Sequence, residues 1–292
     1  MIIDDPSIID PPPDSDPRPP SLYALPPGAV DTHAHVIGTH YIEERSYTPH
    51  PAAPESYVRM LDASGMAHGV LIQVSVHGTD NSLMLDTLAR HPQRLRGIAV
   101  APHDLPAHQW QALKDGGVVG LRLNATTGGG VGVSKLREYE AICAELGWHL
   151  QFLIHGHELP ALAPQVGRLK VPVIFDHMGY VTPELAGAEA GNALIGLVRD
   201  GAWVKLSGAF RISSEGPPYA DTTSFASRLA ETAPDRCVWG SDWPHVGFRG
   251  RMPNVGDLLD LLAAWVPDPA RRNAVLAANP QRLYGFPPAS DA

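Results

Sequence analysis

The chain has 292 residues, with 22 Lys+Arg against 31 Asp+Glu and a formal charge of −9. That balance excludes a general nucleic-acid binder, which needs a basic face to neutralise phosphates. No run approaches the roughly 20 uncharged apolar residues of a membrane span, and Cys143 and Cys237 lack ligand spacing, so they read as small buried hydrophobes.

The N-terminus, Met-Ile-Ile-Asp-Asp, has neither the basic nor the apolar region of a signal peptide, so a cytoplasmic protein is expected. Residues 1–28 hold nine prolines, which removes the N–H donors that helices and interior strands require. This stretch is read as an extended arm ahead of one domain over 29–292. From there, short apolar runs alternate with helical patterns. The strands are predicted at 29–31 leading to His33, then 69–76, 95–101, 117–124, 149–155, 171–176, 202–207 and 236–241. Helices are predicted at 55–64, 82–91, 108–114, 135–146, 158–168, 188–199, 223–233 and 255–265. Eight such units fit a closed α/β barrel of the (β/α)8 TIM type better than an open sheet. The first strand lacks a GxGxxG turn, and the Gly128–Gly130 run has no following Lys-Ser/Thr, so neither a dinucleotide nor a phosphate loop is expected.

In such a barrel the reacting groups stand at the C-terminal ends of strands. Polar residues recur there: His33 and His35 after strand 1, and Ser75, His77, Thr79 and Asp80 after strand 2. Arg122 and Asn124 lie on strand 4, Gln151 and His155 on strand 5, and Asp176 and His177 after strand 6. Lys205 and Arg211 belong to strand 7 and its loop, Asp242 and His245 to the end of strand 8. His33 and His35 are two apart, so both imidazoles share a side of the strand and can share one metal ion or one substrate oxygen. Arg122 interrupts an apolar strand, either as a buried ion-pair member or as a clamp on a substrate carboxylate. Arg211 is a second clamp or a solvated loop residue, His245 a site residue or an anchor of the Trp-Pro turn. The role of Lys205 stays open.

These segments resemble a known family. Val-Asp-Thr-His-Ala-His, Gln-Val-Ser-Val-His-Gly-Thr-Asp-Asn, Gly-Leu-Arg-Leu-Asn, Phe-Asp-His-Met-Gly, Trp-Gly-Ser-Asp-Trp-Pro-His and Asn-Pro-Gln-Arg-Leu-Tyr-Gly-Phe, in order, are similar to the amidohydrolase superfamily of the amidohydrolase 2 type. More narrowly they resemble the branch containing 2-pyrone-4,6-dicarboxylate lactonase and related lactone hydrolases. The resemblance implies a barrel that opens cyclic esters. By motif, His33, His35 and His177 match the family's site histidines, and Asp242 the aspartate that takes a proton from water. Arg122 and Arg211 match arginines that hold substrate carboxylates, and Tyr47, Ser75, His77 and Thr79 match positions lining the pocket; from its place at the end of strand 8, His245 is counted with the substrate-binding candidates. Two departures separate this chain from the pyrone enzyme. No basic residue follows strand 4 before Lys135, and Leu153 stands where a strand-5 tyrosine is expected. His155 stands where that metal-independent enzyme has a carboxylate, and Leu-Ile-His-Gly resembles the metal-dependent members.

The expected function is ring opening of a small acidic lactone by Asp242-activated water, by an enzyme that acts alone or as a homo-oligomer. A divalent metal, Zn in the first instance, is expected on His33, His35, His155, His177 and Asp242. Placing His155 there requires it to share the inward face of strand 5 with Gln151 and Leu153. Without metal, His33, His35 and His177 would donate to the developing oxyanion. A metal-dependent decarboxylase of the same superfamily uses the same histidines, and a non-catalytic carboxylate-binding barrel would have no use for Asp242.

Overall fold

A computed structural model describes residues 5–126 and 129–288. Gly128 of the glycine run, and the first four residues of the arm, lie outside the described residues. Eight strands form one sheet in chain order: β1 (Val30–Ala34), β2 (His68–Ile72), β3 (Leu95–Ala99), β4 (Val118–Asn124), β5 (His149–Leu153), β6 (Val173–Phe175), β7 (Trp203–Leu206) and β8 (Cys237–Trp239). Every consecutive pair is parallel. The seam between β1 and the end of β8 is closed by the Asp242 amide on the His33 carbonyl and the His35 amide on the Trp243 carbonyl, both 2.8 Å. A parallel sheet closed on itself has no edge to protect.

The helices fall where the periodicity places them. The first spans Pro54–Ser64, with proline in its first turn and Gly65 in the left-handed region at its end. The last of the eight predicted helices spans Val255–Trp265, where the Asn254 side chain accepts from the Gly256 amide at 2.9 Å. One face of the strands packs on the helices: Leu121, Leu123, Leu150, Phe152, Val204 and Leu206 all belong to the main core. A second cluster, Val30, Val70, Ile72 and Ile98, is joined by Tyr284 and Phe286. These two aromatics follow from the short helices Pro269–Asn273 and Asn279–Tyr284, which the periodicity does not predict. Segments this short, each opened by or containing proline, carry too few turns to show a 3.6-residue rhythm.

The alternate positions on the strands carry a polar layer. Arg122, Gln151 and Lys205 are buried on the face opposite the main core. The described residues ahead of β1 lie against the body, with Ser21 bonded to Asp260 and the Tyr23 hydroxyl to the Leu259 carbonyl. No helix among the described residues is long and apolar enough to cross a membrane.

Candidate active site

The site is built from strand ends. His33 and His35 leave β1, and Asp242 follows β8. Oδ1 of Asp242 lies 3.7 Å from His33 Nε2 and 3.8 Å from His35 Nε2, and Oδ2 lies 3.7 Å from His177 Nε2. All four side chains are buried. His177 (φ 48°), Tyr180 (φ 51°) and Asp242 (φ 60°) occupy the left-handed region, which costs non-glycine residues about 1–3 kcal/mol each. Local preference therefore does not select these conformations; the closed barrel imposes them, and they turn the side chains toward one centre.

Beneath the centre lies a dense ionic layer. Asp176 Oδ2 accepts from Arg122 Nε at 3.2 Å and from Gln151 Nε2 at 3.0 Å. Its Oδ1 lies 3.2 Å from Lys205 Nζ and 3.2 Å from His33 Nδ1. Lys205 donates to the Thr32 carbonyl and to Gln151 Oε1, each at 2.9 Å. Burial alone would raise the Asp176 carboxyl, but Lys205, His33 and Arg122 outweigh it and hold the group ionised, well below its usual range. Burial pushes Lys205 down to about 8, against the opposing pull of Asp176. Asp176 thus pairs with both cations in a dry interior, which answers where the buried lysine finds its partner.

Burial, then Lys205, pushes His33 down to about 3; burial, then Arg122, does the same to His35. His177 is held well below its ordinary value, again chiefly by burial. All three imidazoles are neutral at pH 7. Asp242 is raised by burial but lowered more strongly by Arg211, His177 and His33, so it stays a carboxylate.

The residues present fit a divalent metal. His35 Nδ1 donates to the Ile72 carbonyl at 2.8 Å, which leaves the lone pair on Nε2 facing the centre. Among the described residues, His33 Nε2 and Asp242 Oδ1 are buried atoms without a hydrogen-bond partner. One ligand atom each from His33, His35 and Asp242 lies within 4.8 Å of the others, and the same holds for His33, Asp176 and His177. Neutral imidazoles and a carboxylate are the donor set that suits Zn.

One cavity opens on this centre, lined by His35, His177 and Asp242 with Tyr47, Ser75, Leu153, Arg122, Tyr180, Arg211, Val246 and Gly247. Arg122 both braces Asp176 and lines the cavity. Arg211 is buried rather than solvated, and its Nε pairs with Asp242 Oδ2. Tyr47 and Ser75 are linked hydroxyl to hydroxyl at 2.8 Å.

Four expectations are corrected. His155 is exposed and stacks on His157, with ring centroids 5.4 Å apart. Strand β5 ends at Leu153, and the chain then enters a short helical turn, so strand alternation no longer directs residue 155 inward. His77 lies in the turn Ser75–His77 and stacks on Tyr41 beside a separate pocket with His40 and Asp80, while Thr79 is exposed. His245 is buried outside the cavity, edge-on to Phe210, and lines a small separate pocket with Asp10 and Pro11. Conversely, Tyr180 and Asp176 join the site without having been assigned to it. The tail of strand 6, Asp-His-Met-Gly-Tyr, held the signal for both.

The amidohydrolase family model matches residues 30–286. The chain belongs to the amidohydrolase family. It is 38% identical over 281 residues to a 4-sulfomuconolactone hydrolase of Rhizobium radiobacter, covering 91% of this amidohydrolase and 93% of that protein. It is 32% identical to a 2-pyrone-4,6-dicarboxylate hydrolase of Comamonas testosteroni, over 90% and 92% of the two chains. A crystal structure of a probable 2-pyrone-4,6-dicarboxylic acid hydrolase from Acinetobacter baumannii, with citric acid bound, superposes with a TM-score of 0.78 at 30% identity. That match covers 89% of this amidohydrolase and 100% of its counterpart.

Proposed function

We propose that this amidohydrolase opens the ring of an acidic lactone, with Asp242 as the general base. The observation that carries the reading is the buried Asp242 carboxylate: Oδ1, without a hydrogen-bond partner among the described residues, faces the neutral His33 and His35, Oδ2 faces His177, and Arg122 and Arg211 line the same cavity. The lactone and dicarboxylate named for its relatives support a substrate with negative groups for Arg122 and Arg211.

The chemistry follows from the residues. Arg122 and Arg211 bind the anionic groups and orient the ring. A substrate anion that engages Arg211 draws this cation from Asp242, and the carboxylate then becomes a better base. Asp242 takes a proton from water as the oxygen adds to the lactone carbonyl carbon. The ring C–O bond then breaks, and Asp242 returns the proton to the departing alkoxide, leaving a hydroxy acid that ionises. Tyr180, pushed up to about 12 by burial, stays protonated as a donor on the cavity wall. His33, His35 and Asp242, with His177 beside them, would hold a divalent cation, for which Zn is the best match. When bound, such an ion supplies a Lewis acid for the carbonyl and lowers the pKa of water.

The test is metal analysis of the purified protein together with a screen of acidic and neutral lactones in a pH-indicator assay. Proton release from acidic lactones, lost on chelation and regained with Zn or Mn, is the expected result. Release of CO2 from an unsaturated acid with no lactone opened would replace this reading by decarboxylation.

A further inference from the structure

The arm is more than a tether. At its start, the Asp10 amide donates to the Thr48 carbonyl at 2.8 Å, and Asp10 Oδ2 accepts from the Gly247 amide at 2.7 Å. Thr48 adjoins Tyr47, and Gly247 itself lines the cavity, so one residue of the arm is bonded to two loops that form its walls. The neighbouring contacts repeat the pattern. Thr48 Oγ1 donates to the Pro6 carbonyl at 2.6 Å, and Ile9 pairs with Thr48 as a parallel bridge. On the other side Arg249 Nη2 donates to the Asp5 carbonyl at 2.7 Å and the Ile8 carbonyl at 3.1 Å, with its Nε 3.5 Å from Asp10 Oδ1.

Asp10 is 3% exposed, and aspartate is almost never buried without partners. Its partners here are all on the two loops. Gly247 has φ 68°, a left-handed conformation that L side chains rarely adopt, and it carries the amide that meets the carboxylate. Neither loop holds a regular strand at that point, so local backbone preference alone does not set their separation.

We propose that residues 5–10 form a strap that fixes the width of the substrate cavity, with Asp10 as its positioning residue. Asp10 touches no reacting atom. It acts through Gly247 on one wall and through Thr48 and Tyr47 on the other, so it governs how well an acidic ring is gripped rather than how fast bonds change. The proposal rests on reading this cavity as the substrate site.

The experiment compares full-length Asp10→Ala with Ser21→Ala, which removes an arm contact to Asp260 far along the chain from the strap. For Asp10→Ala, KM for the acidic lactone should rise about 10-fold with kcat within about 2-fold, the mark of lost binding that is equal in ground and transition states. Amide hydrogen exchange over residues 244–250 should quicken. Ser21→Ala should match the wild type in both. Unchanged KM and exchange in Asp10→Ala, or equal effects in the two variants, would overturn the strap. Should Asp10→Ala not fold, Asp10→Asn keeps the shape, and the wild-type protein still decides: a Gly247 amide that exchanges as fast as an exposed one refutes the bond. If the wild type opens no lactone, the functional reading fails by itself, while the exchange data still judge the strap.

Discussion

Asp242 and Arg122 differ in what their removal should reveal. Asp242→Asn keeps the volume beside His33, His35 and His177 but deletes the proton acceptor. The expected loss in kcat is about 10²-fold or more, with the fold intact by circular dichroism. Near-normal turnover would remove Asp242 from the role of base. Arg122 has two duties. Arg122→Met should raise KM for an acidic lactone about 10-fold and affect a neutral lactone much less. It also withdraws one partner from Asp176, but Lys205 and Gln151 remain on that carboxylate. A stability loss of roughly 1–2 kcal/mol is therefore expected in a denaturant titration, smaller than for a fully orphaned buried charge. Equal KM changes for the two substrates would leave Arg122 with only the structural duty.

At the scale of elements, what was legible in the sequence follows the strands themselves. Arg122 and Gln151 sit among apolar neighbours within strands, so period-two alternation assigns them inward, and the structure places both in the polar layer. Asp242, His33 and His177 were readable because each closes an apolar run. The failures all lie just past a strand end. His155 caps a short helical turn and His77 closes one, and Tyr180 is swung into the cavity by a left-handed backbone, a feature no side-chain pattern encodes. The cost of extending alternation beyond β5 is testable. His155 is exposed, so His155→Ala should keep its metal content, measured by elemental analysis, and its kcat/KM within about 2-fold, as surface substitutions usually do. A protein stripped of metal by this change would return His155 to the ligand set.

The whole molecule stores many neutral histidines in a dry interior, and this sets how it should respond to acid. Burial pushes His33, His35 and His149 down to about 3 and His245 down to about 4, while unfolded histidine titrates at about 6.5. Above about 6.5 these groups are neutral in both states and contribute no pH dependence. As pH falls through that value, the unfolded chain takes up protons that the folded chain refuses, so folding weakens. Asp31 works in the other direction. Burial raises it to about 6 despite the bonds from Ser241, so between about 6 and the ordinary value of 3.8 it binds a proton only when folded. Asp10, also raised by burial, adds to Asp31, but the four histidines together with His177 outweigh the two aspartates, and each uncompensated group is worth on the order of 1 kcal/mol per pH unit. Chelator-treated protein should therefore show a denaturation midpoint that falls steadily from about pH 6.5 to pH 5, before the salt-bridged Asp176 and Asp242 begin to protonate. His149 lies away from the cavity, against Tyr284 at 5.3 Å, so part of the slope should persist after the site histidines are loaded with metal. A midpoint that stays level or rises over that interval would mean that these rings are protonated in the folded barrel, and the neutral cluster on which the Asp242 chemistry depends would be lost with it.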